Sequence, residues 1–344
     1  MKFGIVCNFE NKVARDTTKN IIQLLEKRKH SVEVEEKSSR FFKRKGVPIR
    51  NMKVDVIISV GDDATILRTF RELGDNEIPV LGVSCGATGF LSEVDVKNFE
   101  SSLKLIEDGD FFIEKRTRLS ARINDRKLPY ALNEVVICSS KGATLIRYSL
   151  KINGELIFRD LADGVIISTP TGSTGYALSA GGPVIAGSSK VFIIVPNCSM
   201  NQNKPYVVSD DSEIEITNIS SSSACRAIVD GRVRVNINGK KVMIEKAKTP
   251  AYFLRLKGSL HSRIFGKLRE RMEREVIPKD APPSAKFIYR ILQYEGPLTQ
   301  KELISTSMLP ARTVRHALNY LMKKGLVKRQ TSLRDTRQSI YVLS

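Results

Sequence analysis

The sequence predicts an α/β fold: an N-terminal parallel α/β domain, then an all-β domain, then a small separate helical unit ending in a hairpin. Three observations carry this prediction. Short apolar runs alternate with helical patterns over the first 110 residues. Closely spaced β-type pieces with polar and glycine turns follow from about residue 113. The interruption Pro278-Lys279-Asp280-Ala281-Pro282-Pro283 then precedes a stretch with a periodicity of its own. At 344 residues the chain is long enough for two or three cores.

In the first domain, residues 1–112, Lys2–Cys7, Val54–Val60 and Val80–Val83 read as strands apolar on both faces, with Val32–Val34 as a further one. Thr17–Lys29 places Ile21, Ile22, Leu24 and Leu25 at helical spacing, and Thr65–Leu73 is a second helix. That order implies a parallel sheet covered on both sides. Basic Ser38–Lys45 is expected to be a mobile, solvated loop. Residues 113–250 make the all-β domain, through Leu119–Ile123, Tyr148–Ile152, Ile157, Val165–Ser168, Val191–Val195, Glu213–Ile219, Ala227–Val229, Val233–Ile237 and Lys241–Glu245. Residues 251–277, with the basic stretch Leu260–Val276, are expected to form a helix packing back on the first domain, and 278–283 a linker.

In the last unit, 284–344, Ala285–Tyr294 is helical, with Phe287, Ile288, Ile291 and Leu292 on one stripe. Thr299-Gln300-Lys301-Glu302 is a capping box opening a short helix. Pro310 suits a helix start, and Ala311–Lys324 runs to Gly325. Leu326–Arg329 and Gln338–Leu343 pair as a hairpin around Ser332–Arg337.

Composition narrows the class. Hydrophobic residues make up 41% of the chain, with no run of 18 apolar residues and no basic-then-apolar leader, so a membrane span and a secretory signal are not expected. Five scattered cysteines, with no CxxC and no nearby histidine, fit reduced thiols in a cytoplasm better than a disulfide framework or a zinc site. Residues 241–344 hold 22 Lys/Arg against 8 Asp/Glu, so 14 of the formal net charge of +19 gather at one end. Charge so placed suggests a polyanionic partner; a solvated basic surface is the plainer alternative.

Three segments carry chemistry. Ser59-Val60-Gly61-Asp62-Asp63-Ala64-Thr65 is a small-residue turn between an apolar strand and a helix. Amides at a helix N-terminus attract anions, and a carboxylate there can orient a hydroxyl or accept its proton. An acidic N-cap turn is also a common structural device. Asp163-Gly164-Val165-Ile166-Ile167-Ser168-Thr169-Pro170-Thr171-Gly172-Ser173-Thr174-Gly175-Tyr176 follows a buried strand with a density of hydroxyls and glycines that a plain turn rarely has. Leu132-Asn133-Glu134-Val135 sets an amide beside a carboxylate at a strand start, a commonplace pair by itself.

Together these segments resemble the NAD kinase family, with its GGDGT-like turn, its NE pair and its long DGxxxSTPTGSTAY-like segment. Gly82–Leu91 resembles the family's Gly-Phe loop and Asp230-Gly231 its late DG, so the resemblance spans roughly residues 1–275. It implies a two-domain kinase, a dimer or tetramer, that moves a phosphoryl group from ATP or polyphosphate to the 2′-hydroxyl of NAD's adenosine ribose, with Mg2+ or another divalent cation. The catalytic residue so implied is Asp63, which would orient or deprotonate that hydroxyl. Asn133 and Glu134 would hold ribose and adenine. Thr171, Thr174, Gly175 and Tyr176 would line the dinucleotide site, and Asp163 would contact the nicotinamide end, including that of a neighbouring subunit. Gly61 and its neighbours Asp62 and Thr65 would cradle the donor phosphates, and Phe90 belongs to the same site. No residue is assigned as a metal ligand.

The turn departs from the pattern: Gly61-Asp62-Asp63-Ala64-Thr65 replaces two glycines. Ala64 adds a Cβ, and Asp62 sets a carboxylate where triphosphate charge should be neutralised. At roughly 5 Å and an effective dielectric near 20, each unit of like charge costs about 3 kcal/mol before screening, about a hundredfold in rate; a metal ion bridging Asp62, Asp63 and the phosphates would reverse the sign. Ser84 and Gly175 stand where the family more often has Asn and Ala. The alternative to an active kinase is an NAD(P)-sensing transcription regulator with a kinase-derived core.

Residues 284–344 resemble the winged helix–turn–helix domains of archaeal and bacterial regulators. The resemblance implies double-stranded DNA as partner and Pro310–Lys324 as recognition helix. Arg312, Thr313, Arg315, His316 and Asn319 would meet base edges or phosphates, while Val314, Ala317, Leu318 and Leu321 face inward. Arg334 and Arg337 would sit on the wing tip. Such folds also serve as protein-docking modules.

Overall fold

The computed structural model describes residues 1–85, 89–237, 241–257, 278, 281–296, 298–331 and 339–343. The chain divides into two compact units, Met1–Ile264 and Phe265–Ser344.

The first unit opens with β1 (Lys2–Cys7), α1 (Lys12–Lys27), β2 (Ser31–Glu35), α2 (Glu36–Ser39), β3 (Gly46–Val47), β4 (Val56–Gly61), α3 (Asp63–Leu73), β5 (Val80–Ser84), β6 (Val94–Asp95), α4 (Phe99–Glu107) and β7 (Phe111–Arg116). Parallel pairing runs in the order β3-β2-β1-β4-β5. Both faces of the sheet are buried, as its apolar strands require. Val56, Ile58 and Val60 pack into the cluster that holds Ile21, Ile22 and Leu25 of α1. The intervening Ile57 packs on the other side with Ile66, Phe70 and Leu73 of α3. The region expected as a loop, Ser38–Lys45, is partly helical. Ser38 and Ser39 end α2 and are buried, and residues Arg40–Phe42 form a 3-10 turn.

Two six-stranded antiparallel sheets follow, from β8 (Leu119–Ile123), β9 (Arg126–Lys127), β10 (Glu134–Ser139), β11 (Ile146–Ile152), β12 (Glu155–Ala162), β13 (Gly164–Ser168), the short helix α5 (Tyr176–Ser179), β14 (Val191–Asn197), β15 (Tyr206–Ser209), β16 (Ile214–Ser220), β17 (Cys225–Val229), β18 (Val233–Asn236) and β19 (Val242–Lys246). Their orders are β15-β14-β13-β10-β17-β18 and β12-β11-β16-β19-β8-β9. The core between them includes Val135, Ile137, Tyr148, Leu150, Val165, Ile167, Phe192 and Ile194. The outer face of the first sheet buries Val136, Ile166, Ile193 and Val195 under Ala177 of α5, which lays the hydroxyl-rich segment along the sheet.

Two expected boundaries are corrected. Phe111–Arg116 and Ala251–Leu256 are both strands of the first domain's sheet: β20 (Ala251–Leu256) pairs parallel to β5 and antiparallel to β7. The expected helix over 251–277 therefore does not begin at 251. Phe253 and Leu254 of alternating face fill the two cores, which a strand allows and the helical pattern hid. The stretch Leu260–Val276 lies outside the described residues. Only Thr117 and Arg118 separate β7 from β8. Arg118 is a fully buried side chain: its Nε donates to Thr249 O at 2.9 Å, Nη2 to Gly74 O at 2.9 Å and Nη1 to Phe70 O at 3.4 Å. It thus satisfies carbonyls at the end of α3 and in the return to β20.

The second unit holds helices Pro283–Glu295, Gln300–Ser307 and Ala311–Lys323, with a three-stranded sheet of Leu298–Thr299, Ser339–Leu343 and Val327–Thr331 in that order. The capping box is formed: Glu302 N donates to Thr299 Oγ1 at 3.2 Å and Thr299 N to Glu302 Oε2 at 2.7 Å. Val314, Ala317, Leu318 and Leu321 are buried with Ile288, Ile291 and Leu292. Phe287, expected on that stripe, is 47% exposed, and Tyr289 takes its place in the core. The linker is shorter than expected, since Pro283 starts a helix and Ala281 packs into this core. The edge strand Leu298–Thr299 was not foreseen; two residues carry no readable alternation.

Arg118→Leu should lower the unfolding free energy of the first unit by about 3 kcal/mol, because two buried carbonyls and one half-buried one lose their donor. Urea unfolding checks this; a change below about 0.5 kcal/mol would contradict the role given to Arg118.

Candidate functional site

Strand order reverses between β1 and β4: from β1 the chain moves outward through β2 and β3, and from β4 the other way through β5. Open parallel sheets bind ligands beyond the carboxyl ends of the strands at such a point. A cavity of about 280 Å³ lies there, lined by Cys7, Asn8, Phe9 and Glu10 after β1, by Asp62, Ala64 and Thr65 after β4, by Arg68 and Arg71 of α3, and by Arg232 of the second domain.

The turn into α3 is tightly built. Gly61 has φ +154°, and a Cβ on it would come within 2.6 Å of Thr65 Oγ1 and 2.9 Å of Asn8 Cβ, so glycine is required. Asp62 is the N-cap of α3: one of its oxygens accepts from Thr65 N at 3.0 Å and from Thr65 Oγ1 at 2.7 Å. The Thr65 hydroxyl, expected to face phosphate, donates to Asp62. Asp63 accepts Phe90 N at 2.8 Å on one oxygen and Leu91 N at 3.0 Å on the other. A Cβ on Gly89 would collide with that carboxylate. Phe90 therefore enters the site through its backbone. Arg68 is occupied, donating to Glu35 Oε2 at 3.0 Å and to Cys7 O at 3.0 Å.

The second half of the site hangs on Asp230. Its carboxylate, 5% exposed, accepts the amides of Leu132 at 2.9 Å, Asn133 at 2.8 Å and Glu134 at 3.1 Å. The carbonyls there are used as well: Thr169 Oγ1 donates to Leu132 O at 2.6 Å, and Thr169 N to Asn133 O at 2.9 Å. With the backbone satisfied, the side chains of Asn133 and Glu134 are left over. Asn133 Oδ1 and Glu134 Oε2 are buried without a hydrogen-bond partner. Burial, and then the charge of Asp230, pushes the Glu134 carboxyl up to about 8. Gly175 lies against this pair, an added Cβ standing 3.4 Å from Glu134 Oε2 and 3.8 Å from Asn133 Nδ2. Burial raises the Asp230 pKa, and the three amides and then the charge of Arg71 act against that rise.

The hydroxyl-rich segment spreads the other expected residues along this wall. Thr171 Oγ1 accepts from Arg116 Nη1 at 3.4 Å, and Thr174 Oγ1 donates to Thr171 O at 3.4 Å. Tyr176 is 45% exposed, and its hydroxyl accepts from Asn197 Nδ2 at 3.2 Å. Asp163 neighbours Tyr176 and raises its pKa after burial does so. The sequence reading missed Arg71, Arg116 and Arg232. The only signal was an arginine three residues after Arg68 and another just after Asp230-Gly231. Arg334 and Arg337 lie outside the described residues. Arg312, Arg315, His316 and Asn319 are exposed on the helix Ala311–Lys323, and Thr313 is half-buried.

A carboxyl whose pKa is raised on folding binds more protons in the native state, so stability falls as pH climbs from the unfolded value near 4.5 to about 8. We expect Glu134→Gln to remove that fall. The unfolding free energy of the wild type relative to the variant, from urea unfolding, should drop between pH 5 and 8, at up to about 1.4 kcal/mol per pH unit. Parallel curves would show that Glu134 ionises normally.

The profile of the ATP-NAD kinase N-terminal domain matches residues 3–111, and that of the C-terminal domain residues 132–256. Over 275 residues the chain is 36% identical to an NAD kinase of Methanothermobacter thermautotrophicus, covering 78% of this chain and 97% of the relative. An NAD kinase of Thermococcus gammatolerans is 32% identical over 278 residues, covering 79% and 100%. Among solved structures, an NAD kinase from Archaeoglobus fulgidus in complex with ATP superposes with a TM-score of 0.63 at 31% identity, over 78% of this chain and 99% of the other. A yeast NADH kinase shares the fold, with a TM-score of 0.73 at 22% identity over 82% and 90%. Matched by both domain profiles and by relatives over nearly their whole length, the chain belongs to the NAD kinase family.

Proposed function

We propose that this NAD kinase transfers the terminal phosphoryl group of ATP to the 2′-hydroxyl of the adenosine ribose of NAD, giving NADP and ADP. The observation that carries the acceptor site is the pair of buried, unpartnered oxygens of Asn133 and Glu134, which an adenosine's hydroxyl and amino donors would satisfy. Thr171, Thr174, Gly175, Tyr176 and Asp163 line the rest of the dinucleotide. Asp63, fixed by two backbone amides, takes the 2′-hydroxyl proton as the ribose oxygen bonds to phosphorus and the bond from phosphorus to the bridging oxygen of ADP breaks. The ATP bound to the Archaeoglobus relative supports the same donor here.

Mg2+ fits this site as a companion of the donor phosphates. No cluster of three His, Cys, Asp or Glu exists among the described residues, and Asp62 commits one oxygen to its cap, leaving the other to meet a cation. Bound there, the cation would offset phosphate charge.

The arrangement in the second unit supports a winged helix. Its third helix turns a polar face of Arg312, Arg315, His316 and Asn319 outward above a buried apolar one, in the part of the chain where positive charge gathers. Double-stranded DNA is the partner proposed. A homo-oligomer is the assembly proposed: the edge strands β12 and β15 expose Leu156, Ile157, Tyr206 and Val207. No helix among the described residues is long and apolar enough to cross a membrane, and cysteines that form no disulfide fit a cytoplasmic setting.

Purified protein given NAD, ATP and Mg2+ should form NADP, and Asp63→Asn should cut the rate by about a hundredfold or more. Absence of NADP from protein that still binds NAD would leave the dinucleotide-sensing regulator as the better reading. DNA affinity should fall steeply with added salt and vanish on removal of residues 284–344; affinity indifferent to either would exclude the DNA partner.

A further inference from the structure

Asp62 changes what the donor cavity offers. Where the helix begins with glycine, its first amides and its dipole face a phosphate unopposed. Here the carboxylate of Asp62 takes the Thr65 amide and hydroxyl for itself and brings a negative charge to the wall, and Glu10 brings a second. Arg68 does not offset them, being held by Glu35 and the Cys7 carbonyl. Arg71 and Arg232 remain. Arg71 Nη1 is buried with no hydrogen-bond partner. Arg232 is exposed, makes no ion pair among the described residues, and lines the same cavity from the turn after Asp230-Gly231.

We infer that Arg71 and Arg232 grip the phosphate chain of the donor, in place of the helix-terminal amide that Asp62 has claimed. The inference rests on the kinase reading and adds to it two binding residues and their reason. A guanidinium presents two parallel N–H donors that match a pair of phosphate oxygens, and it stays charged at any working pH. One arginine comes from the N-terminal domain and one from the β domain, so a chain of three phosphates would be held from both sides. The ligand class is an unbranched triphosphate chain, whether carried by ATP or as inorganic tripolyphosphate.

The full-length protein with Mg2+, titrated calorimetrically with ATP and separately with tripolyphosphate in the absence of NAD, tests this. Arg232→Ala and Arg71→Lys should each weaken binding of ATP about tenfold or more and weaken tripolyphosphate in parallel, with NAD affinity within about twofold of wild type. Because Arg71 acts on the Asp230 clasp, a purely structural role for it would lower NAD affinity and spare donor affinity, which would overturn its assignment. Both variants binding donors like a wild type that makes NADP would overturn the inference alone. A wild type that binds NAD and neither donor would sink the kinase reading and this one with it.

Discussion

The geometry of the acceptor site depends on one carboxylate that accepts three consecutive amides. Leu132 and Asn133 lead into β10, whose first residue, Glu134, pairs with Ser168 of β13, and the amides of all three point to one acceptor. An amide left without an acceptor there costs about 1–3 kcal/mol. Asp230, in a left-handed backbone conformation at φ +44°, takes all three at 2.8 to 3.1 Å. Thr169 and Ser168 then take the carbonyls on the other side. Because the main chain is fully paired by these few residues, the side chains of Asn133 and Glu134 are free to serve a ligand. Their unpaired oxygens are thus a product of how completely their own backbone is satisfied.

The same logic separates what could be read in the sequence from what could not. The parallel sheet was legible because β1, β4 and β5 are apolar on both faces, and the capping box of the last unit because Thr299 and Glu302 stand three apart. Asn133, Glu134 and the run from Thr171 to Tyr176 were found by their chemistry and their resemblance to a family, and folding brings them together. Ala251–Leu256 was misassigned to a helix because a strand that joins a distant sheet leaves no local mark of its partner. Arg71 and Arg232 were missed for a related reason: an arginine becomes part of a site through where its guanidinium ends, and residues 161 positions apart converge only in the folded chain.

Asp62 shows how a local rule and a functional rule can compete for one residue. From the sequence it is a free carboxylate facing phosphate, and a costly one. In the structure it is a helix cap with one oxygen bonded twice by Thr65, in a cavity that also contains three arginines. Capping by aspartate rather than glycine is worth only a few tenths of a kcal/mol. The cap therefore gives little reason to retain the charge, and its surroundings decide what the charge does.

The two strands that connect the lobes lie side by side as β7 and β20 in one sheet. Arg118 in the outgoing link bonds Thr249 in the returning one, Ala247 N donates to Arg118 O at 2.9 Å, and Arg118 also holds the tail of α3. Both crossings thus share one buried guanidinium, so a change at residue 118 reaches the outgoing link, the returning link and the end of α3 at once.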